Sequence, residues 1–130
     1  MVIIENKVSL WIGKSMSQKS MEKFIHISYT KSGDIKPSKF MRDFNLNYYD
    51  EDFKESEYFE ETVTTFSDLL NGFSYDDVII KNYIDLFGNN NFNFDANAAL
   101  LLYNFEYSKD LLKNEDKKNK FVFIGSVYYR

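Results

Sequence analysis

The chain has 130 residues, of which 44% are hydrophobic and 18% aromatic, and its formal net charge is −4. A chain of this length buries roughly two-thirds of the surface that its unfolded form exposes, so we expect a single domain, residues 1–130, that needs no crosslink to fold. The absence of cysteine excludes disulfides, thiol catalysis and thiolate zinc sites.

Targeting signals are not apparent in the sequence. The N-terminal stretch MVIIENKVSLWIGK lacks the basic region and the long apolar run of a secretory signal peptide. No stretch contains the roughly 18 consecutive apolar residues that a membrane span requires. We therefore expect a cytoplasmic protein with no membrane partner.

The first predicted element is a strand near residues 7–13. Apolar residues alternate there with Ser9 and Trp11, which is the period of a half-buried strand. Trp11 is predicted to pack at an edge of the sheet. The alternative is that Trp11 is a partly exposed anchor for a binding partner.

Four helices are predicted from capping residues and apolar spacing. The residues proposed as caps are Ser15 or Ser17, Ser38, Thr65 and Ser74. The apolar stripe of the first helix continues to Ser28 or Tyr29. Gly88 is expected to end the fourth helix, because glycine readily adopts the left-handed conformation found there.

Two more strands are predicted near residues 98–107 and 120–129, after a loop at 89–95. We expect them to be antiparallel neighbours joined by the polar segment 108–119, with Gly125 at a bulge or a close approach. Helices fill the space between the first strand and this pair. The fold class predicted is therefore α+β, a small antiparallel sheet with helices packed on it.

Residues 46–61, LNYYDEDFKESEYFEE, form an acidic block with seven carboxylates, one lysine and five aromatic rings. Disordered acidic tails are poor in aromatic residues, so we expect this block to be folded. It is predicted either as an edge strand near 53–59 or as a short helix capped by Asp52. Its acids form either a solvated face or a binding surface for a basic partner.

The sequence contains no complete catalytic or metal-binding pattern. The acidic block places Asp50, Asp52 and Glu61 where a calcium loop has ligands, but Lys54 and Glu55 occupy positions that require an oxygen donor and a glycine. A glycosidase-like pair of carboxylates would have to face each other across a cleft, and these acids crowd into one stretch. We therefore predict no catalytic residue, no metal and no cofactor.

Direct nucleic-acid binding is also disfavoured. The lysines of the first 42 residues are scattered, and the whole chain is acidic, with an isoelectric point near 5.0. The negative net charge is more consistent with a protein that takes the place of a nucleic acid in a basic site. Acidic side chains can imitate a phosphate backbone and occupy the basic cleft of a nuclease.

Six stretches in order resemble the immunity protein 22 family of bacterial polymorphic toxin systems. They are VSLWIG at 8–13, PSKFMRDF at 37–44, YYDEDFKESEYFEE at 48–61, LLNGFSY at 69–75, LLLYNFEY at 100–107 and FIGSV at 123–127. The resemblance implies a small cytoplasmic protein, encoded beside a toxin, that binds the toxin domain and protects the producing cell. It carries over no binding residues.

Electrostatics supplies a hypothesis for the contacts with such a toxin. An acidic block accelerates association with a basic active site, and buried aromatic contacts then slow dissociation. The predicted contacts are Tyr49, Asp50, Glu51, Asp52, Glu55, Glu57, Tyr58 and Trp11. The alternative places Tyr48, Phe53 and Phe59 in the core and the binding face elsewhere, for instance in the 89–95 loop. A general interaction module and a carboxylate enzyme remain the competing classes of function.

Overall fold

A four-stranded antiparallel sheet lies between two pairs of helices in the computed structural model, which describes residues 5–107 and 120–130. The six strands are β1 (Lys7–Lys14), β2 (Ser28–Tyr29), β3 (Ile35–Lys36), β4 (Lys54–Thr65), β5 (Asn91–Tyr103) and β6 (Lys120–Tyr128). The main sheet has the order β4-β5-β1-β6, and β2 and β3 form a separate hairpin. The predicted α+β class is confirmed.

The helices are α1 (Gln18–Ile25), α2 (Lys39–Asp43), α3 (Phe66–Leu70) and α4 (Asp76–Phe87). Ser17, Ser38 and Thr65 cap the first three, each side-chain oxygen accepting a backbone N–H bond that the helix itself leaves unpaired. Ser17, and not Ser15, is therefore the first cap. The predicted stripe was too long, because Tyr29 belongs to β2 and not to the first helix.

The fourth helix begins differently from the prediction. Its N-cap is Tyr75 in the left-handed conformation, with φ of 61°, and it makes no side-chain capping bond. Ser74, the predicted cap, instead bonds to the acidic block. The end of the helix is confirmed, since Gly88 adopts the left-handed conformation there.

The order of the strands corrects one prediction. β5 and β6 are not neighbours, because β1 lies between them and pairs antiparallel with both. Trp11 is consequently on an inner strand and not at an edge of the sheet. The predicted loop at 89–95 is also wrong in part, since β5 already begins at Asn91.

Each face of the sheet carries its own core. On one face, Trp11, Leu100 and Leu102 pack against α1 and α2. These helices contribute the rings of Phe24 and Phe40 to the same core. The opposite core, under α3 and α4, contains the members Val8, Leu10, Ile12, Phe66, Leu69, Leu70, Ile79, Tyr83 and Leu101, among others. The continuous apolar run of β5 follows from this arrangement, because both of its faces are covered.

Gly125 lies both at a bulge and at a close approach of two elements, the two alternatives predicted for it. The register of β6 against β1 shifts between Leu10 and Trp11, which pair with Gly125 and Phe123, so Ile124 is the extra residue of a bulge. A Cβ atom at Gly125 would collide with the side chain of Leu86 on α4. Glycine therefore permits the helix to approach this strand.

Candidate partner-binding site

The acidic block folds as a turn followed by an edge strand. Asp50 caps a single turn of 3-10 helix, Glu51–Phe53, by accepting the backbone N–H of Asp52 at 3.0 Å. The chain then continues into β4, which pairs with β5 on one side only. The edge-strand alternative is confirmed, with the cap at Asp50 in place of Asp52.

The predicted contacts on β4 do not share one face. Tyr58 lies opposite Ala98, whose side chain faces α1 and α2, whereas Glu57 lies opposite Ala99 on the other face of the sheet. Tyr58 is half-buried, and Glu57 is exposed. A flat partner can therefore not cover both side chains through one face of the sheet.

Glu55 is hydrogen-bonded to other parts of the protein. One carboxylate oxygen accepts the backbone N–H of Ser74 at 3.0 Å, and the other accepts the hydroxyl group of Ser74. The hydroxyl group of Tyr103 also lies 3.0 Å from Glu55. Burial raises the pKa of Tyr103, and the charge of Glu55 raises it further. Glu55 thus joins β4 to the loop before α4 and has little capacity left for a partner.

Two predicted contacts are buried. Trp11 is fully buried, with its ring 5.0 Å from that of Phe40 in an edge-to-face arrangement. Tyr49 is 2% exposed and packs against the same ring. Both side chains are too little exposed to form part of the surface that a partner covers, so both are removed from it. Tyr49 reaches the exterior only in the wall of a cleft. Apolar packing, which is strongest for large rings, explains why they lie inside.

Three exposed rings surround the turn instead. Tyr48 and Phe53 are each 45% exposed, and Tyr29 of the β2–β3 hairpin is 55% exposed. The hydroxyl group of Tyr29 donates to a carboxylate oxygen of Glu51 at 3.2 Å, and this hydrogen bond raises the pKa of Tyr29. We call these rings and the three acids the acidic-aromatic surface: Tyr29, Tyr48, Asp50, Glu51, Asp52 and Phe53.

A cleft of about 350 Å³ opens beside this surface. Its described lining consists of Glu5, Tyr48, Tyr49, Asp50, Phe53, Leu102, Tyr103, Asn104 and Phe105. The lining is predominantly apolar and aromatic. It carries two carboxylates and no basic side chain, and Lys54, which follows Phe53 in the chain, is not part of it.

Sequence reasoning missed Tyr29 and Glu5, which are far from the acidic block along the chain. The apolar spacing predicts Ser28 or Tyr29 in a helical stripe, and only the hairpin brings Tyr29 to Glu51. Glu5 is a lone acid before β1, and only the fold brings it to the cleft. No local signal in the sequence could have identified either residue.

The described residues offer no metal centre, since they contain no group of three or more His, Asp or Glu side chains placed to hold an ion. None of the helices in the described ranges is long and apolar enough to cross a bilayer. What these residues do present is a charged aromatic surface with a cleft beside it, an arrangement suited to binding.

Comparison with protein families gives a match over most of the chain. The model of the family described as immunity protein 22 matches residues 8–130, which is nearly the whole chain. The chain belongs to the immunity protein 22 family. Searches among curated proteins and among solved structures found no match.

Membership of the immunity protein 22 family supports an immunity role for the whole described fold. The matched range begins in β1 and runs to the end of the chain, so it includes the sheet, both helix layers and the acidic-aromatic surface. The family description names no toxin and no contact residue. The contacts with a toxin are therefore inferred from the acidic-aromatic surface.

Proposed function

We propose that this protein binds a cognate bacterial toxin domain in the cytoplasm and neutralises it without any catalysis of its own. The observation that carries the proposal is the match to the immunity protein 22 family over residues 8–130. A stoichiometric inhibitor needs a stable framework and an accessible surface. The two cores and the exposed acidic-aromatic surface supply these.

The contact surface proposed is the acidic-aromatic surface together with the exposed Glu57 of β4. Asp50, Glu51 and Asp52 form one turn, so three negative charges lie within a few residues of each other. A basic active-site cleft, such as that of a nuclease, is the complement of such a turn. Opposite charges raise the association rate toward about 10⁸–10⁹ M⁻¹s⁻¹ at low salt.

The exposed rings are proposed to provide the short-range part of the binding energy. Tyr48 and Phe53 flank the acidic turn, and tyrosine is among the residues most enriched at binding hot spots. Their burial against a toxin would remove apolar surface from water. This would slow dissociation, while the acids mainly affect association.

The proposal is tested by co-expression with the toxin domain encoded immediately upstream, followed by titration of the purified pair at increasing salt. Rescue of growth, with affinity that falls as salt rises, is the expected result. Rescue with affinity independent of salt would leave the immunity role in place and remove the acidic turn from the interface. A failure of both rescue and binding would overturn the proposal.

A charge-matched pair of variants isolates the acidic turn. Asp50→Asn/Glu51→Gln/Asp52→Asn removes three charges there, and asparagine at position 50 retains the capping oxygen. Asp77→Asn/Asp85→Asn/Asp95→Asn removes three charges from exposed positions on α4 and β5. We expect only the first variant to lose both affinity and salt dependence.

A further inference from the structure

The cleft beside the acidic turn has the chemistry of a receptor for one cationic side chain. Its walls include the rings of Tyr48 and Phe53, and its described lining carries the carboxylates of Glu5 and Asp50. Both acids are exposed to solvent. A purely apolar ligand would leave these charges unused, and an anionic ligand would be repelled.

A wall residue of this cleft also has incomplete hydrogen bonding. Tyr49 lines the cleft, and its buried hydroxyl group has no hydrogen-bond partner among residues 5–107 and 120–130. Burial raises the pKa of Tyr49, with the charge of Glu51 as a further cause, so the hydroxyl stays protonated. Buried polar groups are ordinarily paired, so this wall residue of the cleft retains an unused hydrogen-bonding group among the described residues.

Lys7, two residues after Glu5 in the chain, already has an acidic partner. Lys7 forms a salt bridge of 2.7 Å with Glu106, and this hydrogen bond raises the pKa of Lys7. Among the described residues, no ion pair involves Glu5 or Asp50. The negative charge of the described lining stays available to a cation from outside.

We propose that this cleft binds an arginine side chain of the toxin domain, with Glu5 and Asp50 holding the guanidinium group against the rings of Tyr48 and Phe53. This inference rests on the proposed function and adds to it the residue type that the toxin inserts. Arginine fits better than lysine, because its planar group stacks on aromatic faces and presents five donors to several acceptors.

The first test needs no toxin. N-acetyl-arginine amide is titrated into the ¹⁵N-labelled protein, with the amide signals of Tyr48, Phe53 and Asn104 followed by NMR. N-acetyl-citrulline amide is the matched probe, since it has a similar shape and no charge. We expect shifts that saturate about tenfold earlier with arginine, the ratio that a charged hydrogen bond confers. Equal shifts from citrulline or from a lysine derivative would overturn the inference.

A pair of variants tests whether the arginine derivative binds in the cleft. Glu5→Gln/Asp50→Asn removes both lining charges and retains the cap of the 3-10 turn, whereas Glu60→Gln/Glu61→Gln removes two exposed charges of β4 outside the lining. We expect the arginine-induced shifts to disappear only in the first variant. Thermal unfolding of both variants verifies that the fold is intact.

Measurements of toxin binding distinguish a failure of the arginine inference from a failure of the proposed function. If the natural protein binds the toxin domain, Glu5→Gln/Asp50→Asn should weaken the complex by about tenfold or more, and Glu60→Gln/Glu61→Gln should weaken it less. Equal affinities of the two variants would refute the arginine inference and leave the immunity role standing. A natural protein that does not bind the toxin domain would instead overturn the proposed function, whatever the arginine derivative does.

Discussion

The carboxylate of Glu55 accepts hydrogen bonds from both the backbone N–H and the hydroxyl group of Ser74. These bonds connect the edge strand β4 to the loop that precedes α4. We therefore expect this acid, in the middle of the acidic block, to contribute to stability. The same bonds explain why Ser74 does not cap its helix.

We expect Glu55→Ala to lower the free energy of unfolding by about 1–2 kcal/mol, because two donors of Ser74 lose a charged acceptor. The Tyr103 hydroxyl keeps an acceptor, the carbonyl oxygen of Ser74 at 2.7 Å. Glu57→Ala is the control. Glu57 is exposed and makes no hydrogen bond or ion pair with the described residues, so its change should stay within about 0.5 kcal/mol. Urea unfolding measures both values. Equal losses in the two variants would contradict the role given to Glu55.

Two buried tyrosines near the same core should respond oppositely to loss of the hydroxyl group. The hydroxyl of Tyr107 donates to the carbonyl oxygen of Phe44 at 2.7 Å, whereas that of Tyr49 has no partner among the described residues. Tyr107→Phe should destabilise the protein by about 1 kcal/mol, and Tyr49→Phe should stabilise it by a similar amount. Chemical denaturation of both variants checks the sign. A destabilised Tyr49→Phe variant would show that this hydroxyl is paired.

Gly125→Ala should destabilise the protein by about 1–3 kcal/mol, because the new Cβ atom collides with the side chain of Leu86. Leu86 is more than half exposed, so Leu86→Ala alone should cost less than a core truncation. The double variant should be more stable than the sum of the single changes implies, since the collision is gone. Strict additivity in thermal unfolding would place the strain elsewhere.

Stability should fall at alkaline pH. Burial raises the pKa of Tyr107 to about 12, against about 10 in an unfolded chain. The folded state therefore holds this proton more tightly, and its contribution is complete below pH about 10 and lost as the pH rises through about 12. Urea unfolding should show a slope in this window that is smaller for Tyr107→Phe. The slope should not vanish, because burial also raises the pKa of Tyr83 and of Tyr103.

Tyr48→Ala should weaken toxin binding and leave the free energy of unfolding within about 0.5 kcal/mol of the natural value, since the ring is 45% exposed. Tyr128→Ala is the control for the loss of an exposed ring, because Tyr128 is 58% exposed on β6. Isothermal titration with the toxin domain measures the difference. Equal affinities for the two variants would remove Tyr48 from the interface.

The elements that local rules determine were predicted from the sequence. Caps such as Ser38 and Thr65 act within three residues, and the alternation around Trp11 is a property of one strand. The position of β1 between β5 and β6 was not predicted, because it depends on pairing between residues far apart in the chain.

The candidate site was predicted as a segment but not side chain by side chain. Tyr48 and Tyr49 are adjacent in an irregular segment, which has no period to tell the inner ring from the outer one. Tyr49 is the ring predicted as a contact, and it is buried. Glu55 was included because it is acidic, and its bond to Ser74 could be known only from the fold.

The central position of β1 has a consequence for the timing of folding. Its register pairs Val8 with Tyr103 on one side and Lys7 with Tyr128 on the other. During synthesis, β1 is made well before β5 and β6. This inner strand therefore has no pairing partner in the sheet until β5 and then β6 emerge from the ribosome. Sheets that depend on such distant pairings close slowly. We therefore expect a lag between synthesis of this protein and its first binding-competent molecules, during which a chaperone that shields β1 would increase the yield.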